Sequence, residues 1–275
     1  MKRPQPPKTI DMLKQLGIEW MKIKNYRTFW ILLGIMILSV PALNYLIFRL
    51  SNDMFATGKN GQTPFGHPFA FPDVWKTVAW NSTWLFILPA ILIITVVTNE
   101  FTYKTHRQNI IDGWSRGCFI GVKLISLFLL SILGTVILWL TVLGFGLLAN
   151  KVPAGTSVWK NSRFLGFYFI QLLSYSMIAF VLSVLIKRAG LAIGVFLIYI
   201  LIEKVLVAIV LNVFKVDLVE FLPKESASQL LPFPYAPIGD PVVWEHRLPW
   251  YLAMAGFYLV LYCVVTSRYF LKSDL

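Results

Sequence analysis

Six runs of mostly apolar residues divide this chain, each at least 18 residues long and almost free of charge. About 20 apolar residues in a helix cross the ~30 Å hydrocarbon core of a bilayer. Hydrophobic residues make up 57% of the chain and charged residues only 14%, whereas soluble domains carry about 25% charged residues. Because a spanning segment must satisfy its own backbone hydrogen bonds in lipid, the sequence predicts an all-α integral membrane protein.

The apolar runs predict a transmembrane domain over residues 28–275, preceded by an N-terminal segment over residues 1–27. The six spans are predicted near 28–49, 76–98, 119–149, 164–186, 190–214 and 247–269, with a long outer segment over 215–246. In the N-terminal segment, apolar residues recur at mostly helical spacing, while lysines occupy other positions. This pattern is typical of an amphipathic helix lying in the headgroup region, and a solvated basic tail is the alternative.

The placement of lysine and arginine predicts the orientation of the chain. If the N-terminus is inside, inner segments hold 15 of these residues and outer segments hold 9, with Lys204 inside a span. Because positive residues concentrate on the cytoplasmic side, both termini are predicted to lie in the cytoplasm. The net charge of +12 therefore indicates topology. It does not indicate nucleic-acid binding, because no basic stripe is interleaved with aromatic residues.

The sequence offers no candidate for catalysis or metal binding. His67, His106 and His246 are widely separated, and none has a ligand partner one helical turn away. No glycine-rich phosphate loop with a following lysine and serine or threonine is present, so the chain is not expected to bind ATP. We expect no catalytic residue, no metal site and no cofactor on this polypeptide.

Glu203 and Lys204 lie near the centre of the predicted fifth span, where each charge costs at least about 2.5 kcal/mol unless it is paired or hydrated. One interpretation is an intramembrane polar site on a substrate or ion path. The other, which we favour, is a structural pair neutralised by polar groups of neighbouring helices. Adjacent helical residues point about 100° apart, so the two side chains cannot both face one narrow pore.

A polar and charged insert separates the second apolar run from the third. It runs from Asn99 to Arg116 and combines charged residues with a few apolar ones. Such a segment cannot lie in hydrocarbon, and its spacing predicts a short cytoplasmic helix near 100–118. On this helix, apolar side chains face lipid or a partner groove and charges face water. A solvated loop is the alternative.

The insert resembles the segment that follows the second span in ABC-2 type transporter permeases. In that family a Glu is followed by Gly-Thr, an apolar pair, Pro-x-Ser-Arg and a Lys that opens the third span. The corresponding residues here are Glu100, Thr105, Arg107, Ile110, Ile111, Ser115, Arg116 and Lys123. Lys104 replaces the Gly and Gly113 replaces the Pro, with Trp114 beside it. The N-terminal helix, six spans and long outer segment also match the family's architecture.

The resemblance implies an export-type permease of the cytoplasmic (inner) membrane. It would pair with a second permease, identical or related, and with two separate cytoplasmic ABC ATPase subunits that bind ATP and magnesium. The insert would be the coupling helix that docks on the ATPase, through Glu100, Lys104, Thr105, Arg107, Ile110, Ile111, Trp114 and Arg116. A stand-alone channel or secondary transporter and a membrane anchor of a larger assembly are the alternatives. Membrane lipid is the other expected partner, and the substrate is not indicated.

Overall fold

A computed structural model of the chain describes residues 12–55, 68–105, 116–149, 157–215, 217–235 and 241–272. Every regular element within these ranges is helical. The α-helices are α1 (Met12–Lys24), α2 (Arg27–Phe55), α3 (Val74–Ser82), α4 (Ile87–Thr102), α5 (Arg116–Leu148), α6 (Arg163–Ile186), α7 (Ala189–Ile209), α8 (Pro223–Ser228) and α9 (Pro241–Lys272).

Six stretches of helix within these ranges are long and apolar enough to cross a membrane: Arg27–Ser51, Val74–Thr102, Gly117–Leu148, Arg163–Ile186, Ala189–Phe214 and Val242–Phe270. The prediction of an all-α membrane protein with six spanning helices is therefore confirmed. The predicted N-terminal helix corresponds to α1, and its position at the membrane surface stays a prediction. Most of the predicted coupling helix lies outside the described residues.

The second spanning stretch is not one continuous α-helix. α3 ends at Ser82, a 3-10 turn covers Thr83–Phe86, and α4 begins at Ile87. Pro89 lies in the first turn of α4, where the amide hydrogen that proline lacks would have no helical partner. A proline in a helix interior removes a hydrogen bond and clashes with the preceding turn, and Pro89 avoids this position because a new α-helix begins at Ile87.

Helix α6 is the central helix of the bundle and contacts α3, α4, α5, α7, α8 and α9. In its most apolar stretch 61% of the residues are buried, compared with 17% in α7 and 11% in α9. The core around α6 is rich in aromatic rings, and Phe86, for example, packs against Tyr168 and Tyr175. The outer faces of α2, α7 and α9 are left to lipid or to another protein.

The bundle has two chemically different ends. At the terminal end, α1 and the start of α5 meet the end of α9, where Phe119 stacks on Phe270 with ring centroids 5.0 Å apart. At the far end lie the end of α2, the starts of α3, α6 and α9, and the segment between α7 and α9.

The predicted outer segment over 215–246 packs partly within the bundle. α8 contacts α6, α7 and α9, and Lys224, Ser226, Ala227 and Leu230 are fully buried. Irregular backbone at membrane depth is tolerated only where protein or a water-filled cavity surrounds it. The aromatic and proline-rich sequence after α8 predicts only a loop, and the tertiary structure turns this segment into part of the core.

A buried polar network anchors the same segment to the first two spans. The amide of Asn44 donates to Ser82 Oγ at 3.0 Å, Asn81 donates to Asn44 Oδ1 at 3.2 Å, and the Tyr235 hydroxyl donates to Asn81 Oδ1 at 2.8 Å. Burial raises the pKa of Tyr235 to about 12, so its hydroxyl keeps its proton at physiological pH. Because every member has a partner, the network fixes the position of the segment without leaving a bare polar group.

Candidate coupling site and intramembrane polar sites

The predicted coupling segment is described only at its two ends. The first end comprises the last turn of α4 and residues 103–105, and the second is the start of α5 at Arg116. Arg107, Ile110, Ile111 and Trp114 lie outside the described residues, as does the side chain of Arg116. Their proposed contacts with an ATPase stay predictions.

Glu100, which we expected among the water-facing charges, is buried with only 4% of its surface exposed. Its Oε1 lies 2.7 Å from Nζ of Lys123, and the same ammonium lies 2.5 Å from Oε2 of Glu19. Lys22 lies 3.5 Å from Glu19 and 3.8 Å from Glu100. The expectation for Glu100 is corrected because Lys22 of α1 and Lys123 of α5 lie against this carboxylate, which is shielded from water.

These four residues form a cluster without net charge, which we call the basal cluster: Glu19, Lys22, Glu100 and Lys123. Two carboxylates face two ammonium groups, so each buried charge has a partner of opposite sign. A buried charge without a partner costs several kcal/mol, and the cluster therefore requires α1, α4 and α5 to keep their mutual positions. The predicted coupling segment begins and ends at two of these helices.

Sequence reasoning missed Glu19, although the sequence contains a signal. In α1, Glu19 follows Leu16 by three residues and precedes Ile23 by four, so it shares the apolar stripe of this helix. A carboxylate on an apolar face indicates a buried partner. Gln15, also on α1, is buried and lies against the thiol of Cys118 on α5, which extends the same contact between helices.

Lys104 has a positive φ of 55°, a conformation that favours glycine because a Cβ crowds the backbone there. This is the position at which ABC-2 type permeases carry glycine in the pattern given above. Lys104 is exposed, whereas the hydroxyl of Thr105 is buried and has no hydrogen-bond partner among the described residues. Lysine therefore adopts here a backbone conformation that glycine favours.

Glu203 and Lys204 point in different directions, as the helical geometry predicts. The backbone N–H groups of Lys224 and Glu225 donate to Oε1 of Glu203, each at 2.9 Å. These amides belong to the first turn of α8, whose positive dipole end favours a carboxylate. Lys204 lies over the ring of Trp84 at 4.5 Å from its centroid, which is a cation–π contact. The structure does not bring the two side chains together into one site.

Glu203 has backbone partners on α8, and the structural interpretation that we favoured stays a prediction. Its carboxylate is buried, with 5% of the residue surface exposed, and it binds the backbone of α8, outside any helix of the predicted spans. The ammonium of Lys224 is fully buried nearby and lies 3.2 Å from Glu225. A functional role for Glu203 or Lys204 is not tested by these contacts.

A cavity of about 980 Å³ opens in the far half of the bundle, between the 3-10 turn, α6, α7, α8 and α9. Its walls combine charged side chains with the rings of Trp80, Trp84 and Trp244. Within the described residues, no group of three or more His, Cys, Asp or Glu could hold a metal ion.

No curated protein matches this chain in a sequence comparison. The family of ABC-2 family transporter proteins matches residues 15–203, which is more than half of the chain and extends from α1 to Glu203 in α7. Proteins of this family are membrane-embedded transport subunits without catalytic activity of their own, and they normally work with a cytoplasmic ATPase. The chain belongs to the ABC-2 transporter family and is a multi-pass membrane permease of an ABC transporter.

Proposed function

We propose that this chain is the permease of an ATP-driven exporter, in which two permease chains work with two separate cytoplasmic ATPase subunits. The family match over residues 15–203 carries this proposal. The sequence has no phosphate-binding loop of its own, which agrees with ATP and magnesium being bound by the partner. The family match also disfavours the stand-alone channel and the membrane anchor.

The coupling role of residues 100–118 is supported by the geometry at both ends of the segment. The basal cluster ties α1, α4 and α5 together through contacts of 2.5 and 2.7 Å to Lys123. A force that the ATPase applies to the segment would then move α1, α4 and α5 together as one rigid unit. In this proposal Glu100 holds the start of the segment in place through its ion pair with Lys123. The positive charges that contact the ATPase are those of Lys104, Arg107 and Arg116.

Affinity purification of the tagged chain from its native membranes tests the partnership. We expect a protein with a nucleotide-binding motif to co-purify, and vanadate to inhibit the ATPase activity of the complex. Truncating one partner of a buried interfacial charge pair costs about 2–5 kcal/mol. Arg107→Glu and Arg116→Glu should therefore release the ATPase or uncouple its activity, whereas Lys160→Glu at the far end should not. Full complex yield and unchanged activity in both arginine variants would show that the insert is only a loop.

Orientation is tested by labelling single cysteines in a chain with Cys118→Ser and Cys263→Ser. Lys104 and Lys160 are both exposed, at the terminal and far ends respectively. If the terminal end faces the cytoplasm, as the lysine and arginine bias predicts, an impermeant maleimide should label Lys160→Cys in intact cells. Lys104→Cys should react only after permeabilisation. The opposite pattern would reverse the proposed topology.

A further inference from the structure

Two tryptophans meet at the turn between α1 and α2. Trp20 of α1 and Trp30 of α2 pack edge to face, with their ring centroids 6.1 Å apart. The indole N–H of Trp30 donates to the carbonyl oxygen of Lys24, the last residue of α1, at 2.8 Å. The polar and the apolar part of one indole ring thus both link the end of α1 to the start of α2.

Each of these tryptophans is exposed and has an exposed cation one helical turn away. Trp20 and Trp30 expose 53% and 48% of their surface. Lys24 follows Trp20 by four residues in α1, and Arg27 precedes Trp30 by three residues in α2, so the members of each pair are neighbours on their helix. Lys24 and Arg27 are both exposed. We call these four residues the elbow surface: Trp20, Lys24, Arg27 and Trp30.

The positive charge of the elbow surface is not balanced by an acidic side chain. Lys24 and Arg27 have no carboxylate within 4.0 Å among the described residues. In the described part of the terminal end the carboxylates are those of Glu19 and Glu100, and both are buried in the basal cluster. A partner that complements the elbow surface must therefore bring the negative charge itself.

In a bilayer crossed by α2, the elbow surface lies at the level of the lipid headgroups. The spanning stretch Arg27–Ser51 begins at Arg27, and Trp30 follows three residues later, about 5 Å further along the helix. Tryptophan is enriched at this boundary between headgroups and hydrocarbon. Ile31, the next residue, exposes 62% of its surface. Exposed apolar side chains beside exposed cations at this depth favour a lipid over a soluble protein as the partner.

We propose that the elbow surface binds an anionic phospholipid in preference to a zwitterionic one. The phosphate of the lipid contacts Lys24 and Arg27, and its acyl chains pack on the rings of Trp20 and Trp30. Both lipid classes carry a phosphate, but a zwitterionic headgroup adds an ammonium that two exposed cations repel. Basic residues next to a spanning helix attract anionic lipids for this reason. The lipid contact requires neither export nor an ATPase.

The test uses a fluorophore beside the elbow surface in the full chain, reconstituted into vesicles. Met21 is exposed next to Trp20, so Met21→Cys, in a chain with Cys118→Ser and Cys263→Ser, carries the label. The vesicles consist of phosphatidylcholine with a small fraction of phosphatidylglycerol. A quenching nitroxide is attached to the acyl chains of the phosphatidylglycerol in one preparation, and to an equal amount of phosphatidylcholine in the other. We expect much stronger quenching by phosphatidylglycerol, and equal quenching would overturn the proposal.

Charge variants locate the lipid. Each removed cation should lower the preference for phosphatidylglycerol by up to about 5-fold, so the double variant Lys24→Gln with Arg27→Gln should show almost none. Arg27→Lys keeps the charge and should keep the preference. Arg49→Gln is the matched control, because Arg49 is exposed near the other end of α2, beside the ring of Tyr45. It should not change quenching at the label. A full preference in the double variant would contradict the proposal.

Salt provides a second measurement in which Lys24 and Arg27 are unchanged. Dissolved ions screen charges at a surface, so the preference for phosphatidylglycerol should decrease at high sodium chloride concentration. A preference that salt does not change would overturn the role of charge. Unfolding midpoints show whether each variant is folded. If the double variant does not fold, the two-lipid comparison and the salt dependence of the labelled chain decide the result.

Co-purification with the ATPase distinguishes the lipid from a protein partner. We expect the double variant to keep its ATPase, because Lys24 and Arg27 contact lipid in this proposal. If the double variant releases the ATPase and keeps its preference for phosphatidylglycerol, the elbow surface binds a protein and the proposal is wrong. If no ATPase co-purifies with the natural chain either, the proposed function fails, and the lipid measurements still decide the lipid contact.

Discussion

The two ends of the bundle accommodate buried charge in different ways. At the terminal end, side chains of α1, α4 and α5 neutralise one another in the basal cluster, with contacts of 2.5 and 2.7 Å around Lys123. In the far half, the carboxylate of Glu203 binds two backbone amides of α8, and Lys204 lies on the ring of Trp84. The basal cluster uses opposite charges alone, whereas the far half has ion pairs such as Lys224–Glu225 and also uses backbone dipoles and an aromatic ring.

This difference shows how each end holds its charges. A cluster without net charge, shared by three helices, holds them in one arrangement and leaves no charge for a ligand. Lys204 lies on an aromatic ring and has no carboxylate within 4.0 Å among the described residues. The terminal end is therefore held by charge pairs, whereas single charges of the far half depend on a helix terminus and on a ring. The four predictions below test this contrast, from the largest expected effect to the smallest.

Lys123→Met should cause the largest loss of stability. The change leaves the carboxylates of Glu19 and Glu100 buried without their shared ammonium, and breaking a buried pair costs about 4 kcal/mol. The thermal unfolding midpoint in detergent measures the effect. Lys22→Met is the matched control, because Lys22 is partly exposed and its contacts are 3.5 and 3.8 Å long, so it should cost about 1 kcal/mol or less.

A variant that combines Lys123→Met with Glu19→Gln and Glu100→Gln removes every charge that lost its partner. It should regain most of the stability, since no bare charge is then buried. If Lys123→Met and Lys22→Met lower the unfolding midpoint equally, the basal cluster does not hold the helices of the terminal end together.

Glu203→Leu should have the next largest effect. It removes the acceptor of the Lys224 and Glu225 amides, and two buried unsatisfied donors cost about 3 kcal/mol. Glu203→Gln keeps an oxygen that can accept both bonds, so we expect a loss of about 1 kcal/mol and intact assembly. Unfolding midpoints of the two variants measure the difference. A stable, assembled Glu203→Gln protein that hydrolyses ATP but transports nothing would place this carboxylate on the substrate path.

Gly146→Ala tests the packing of the far end. A Cβ at Gly146 would overlap the ring of Phe71, whereas a Cβ at Gly144 meets no described atom within 4 Å. Overpacking against a buried ring costs about 2 kcal/mol, so Gly146→Ala should lower the unfolding midpoint. Gly144→Ala, two residues away in the same helix, should leave the midpoint unchanged or raise it slightly. If Gly146→Ala leaves the unfolding midpoint unchanged, the packing around Phe71 adjusts to the added Cβ without a loss of stability.

Lys104→Gly should give the smallest effect, and it should be stabilising. Lys104 adopts φ 55°, and removing its Cβ relieves about 1 kcal/mol of backbone strain, part of which is lost because glycine has more freedom in the unfolded chain. Lys104→Ala removes the same charge but keeps the Cβ, so it should not stabilise the protein. If glycine and alanine give the same midpoint, the effect comes from the charge and the turn is not strained.

The candidate site could be predicted from the sequence only in part. The sequence predicted that Glu203 and Lys204 point apart, because that follows from the rotation between neighbouring helical residues. It did not reveal what each contacts, since α8 and Trp84 are separated from them by about 20 and 120 residues. Glu100 looked like a surface charge because its neighbours in sequence are polar, and the packing of α1 against α5 is what buries it.

The sequence by itself determined that this chain is an all-helical membrane protein with six spans, because long apolar runs can satisfy their backbone only as helices in lipid. The residue pattern after the second run also indicated the family. Only the tertiary structure decided which charges are neutralised and which are left available. Charge pairing in a membrane depends on contacts between helices that are distant in the sequence. The same glutamate or lysine is neutralised by an opposite charge, by backbone amides or by an aromatic ring according to the helix that packs against it.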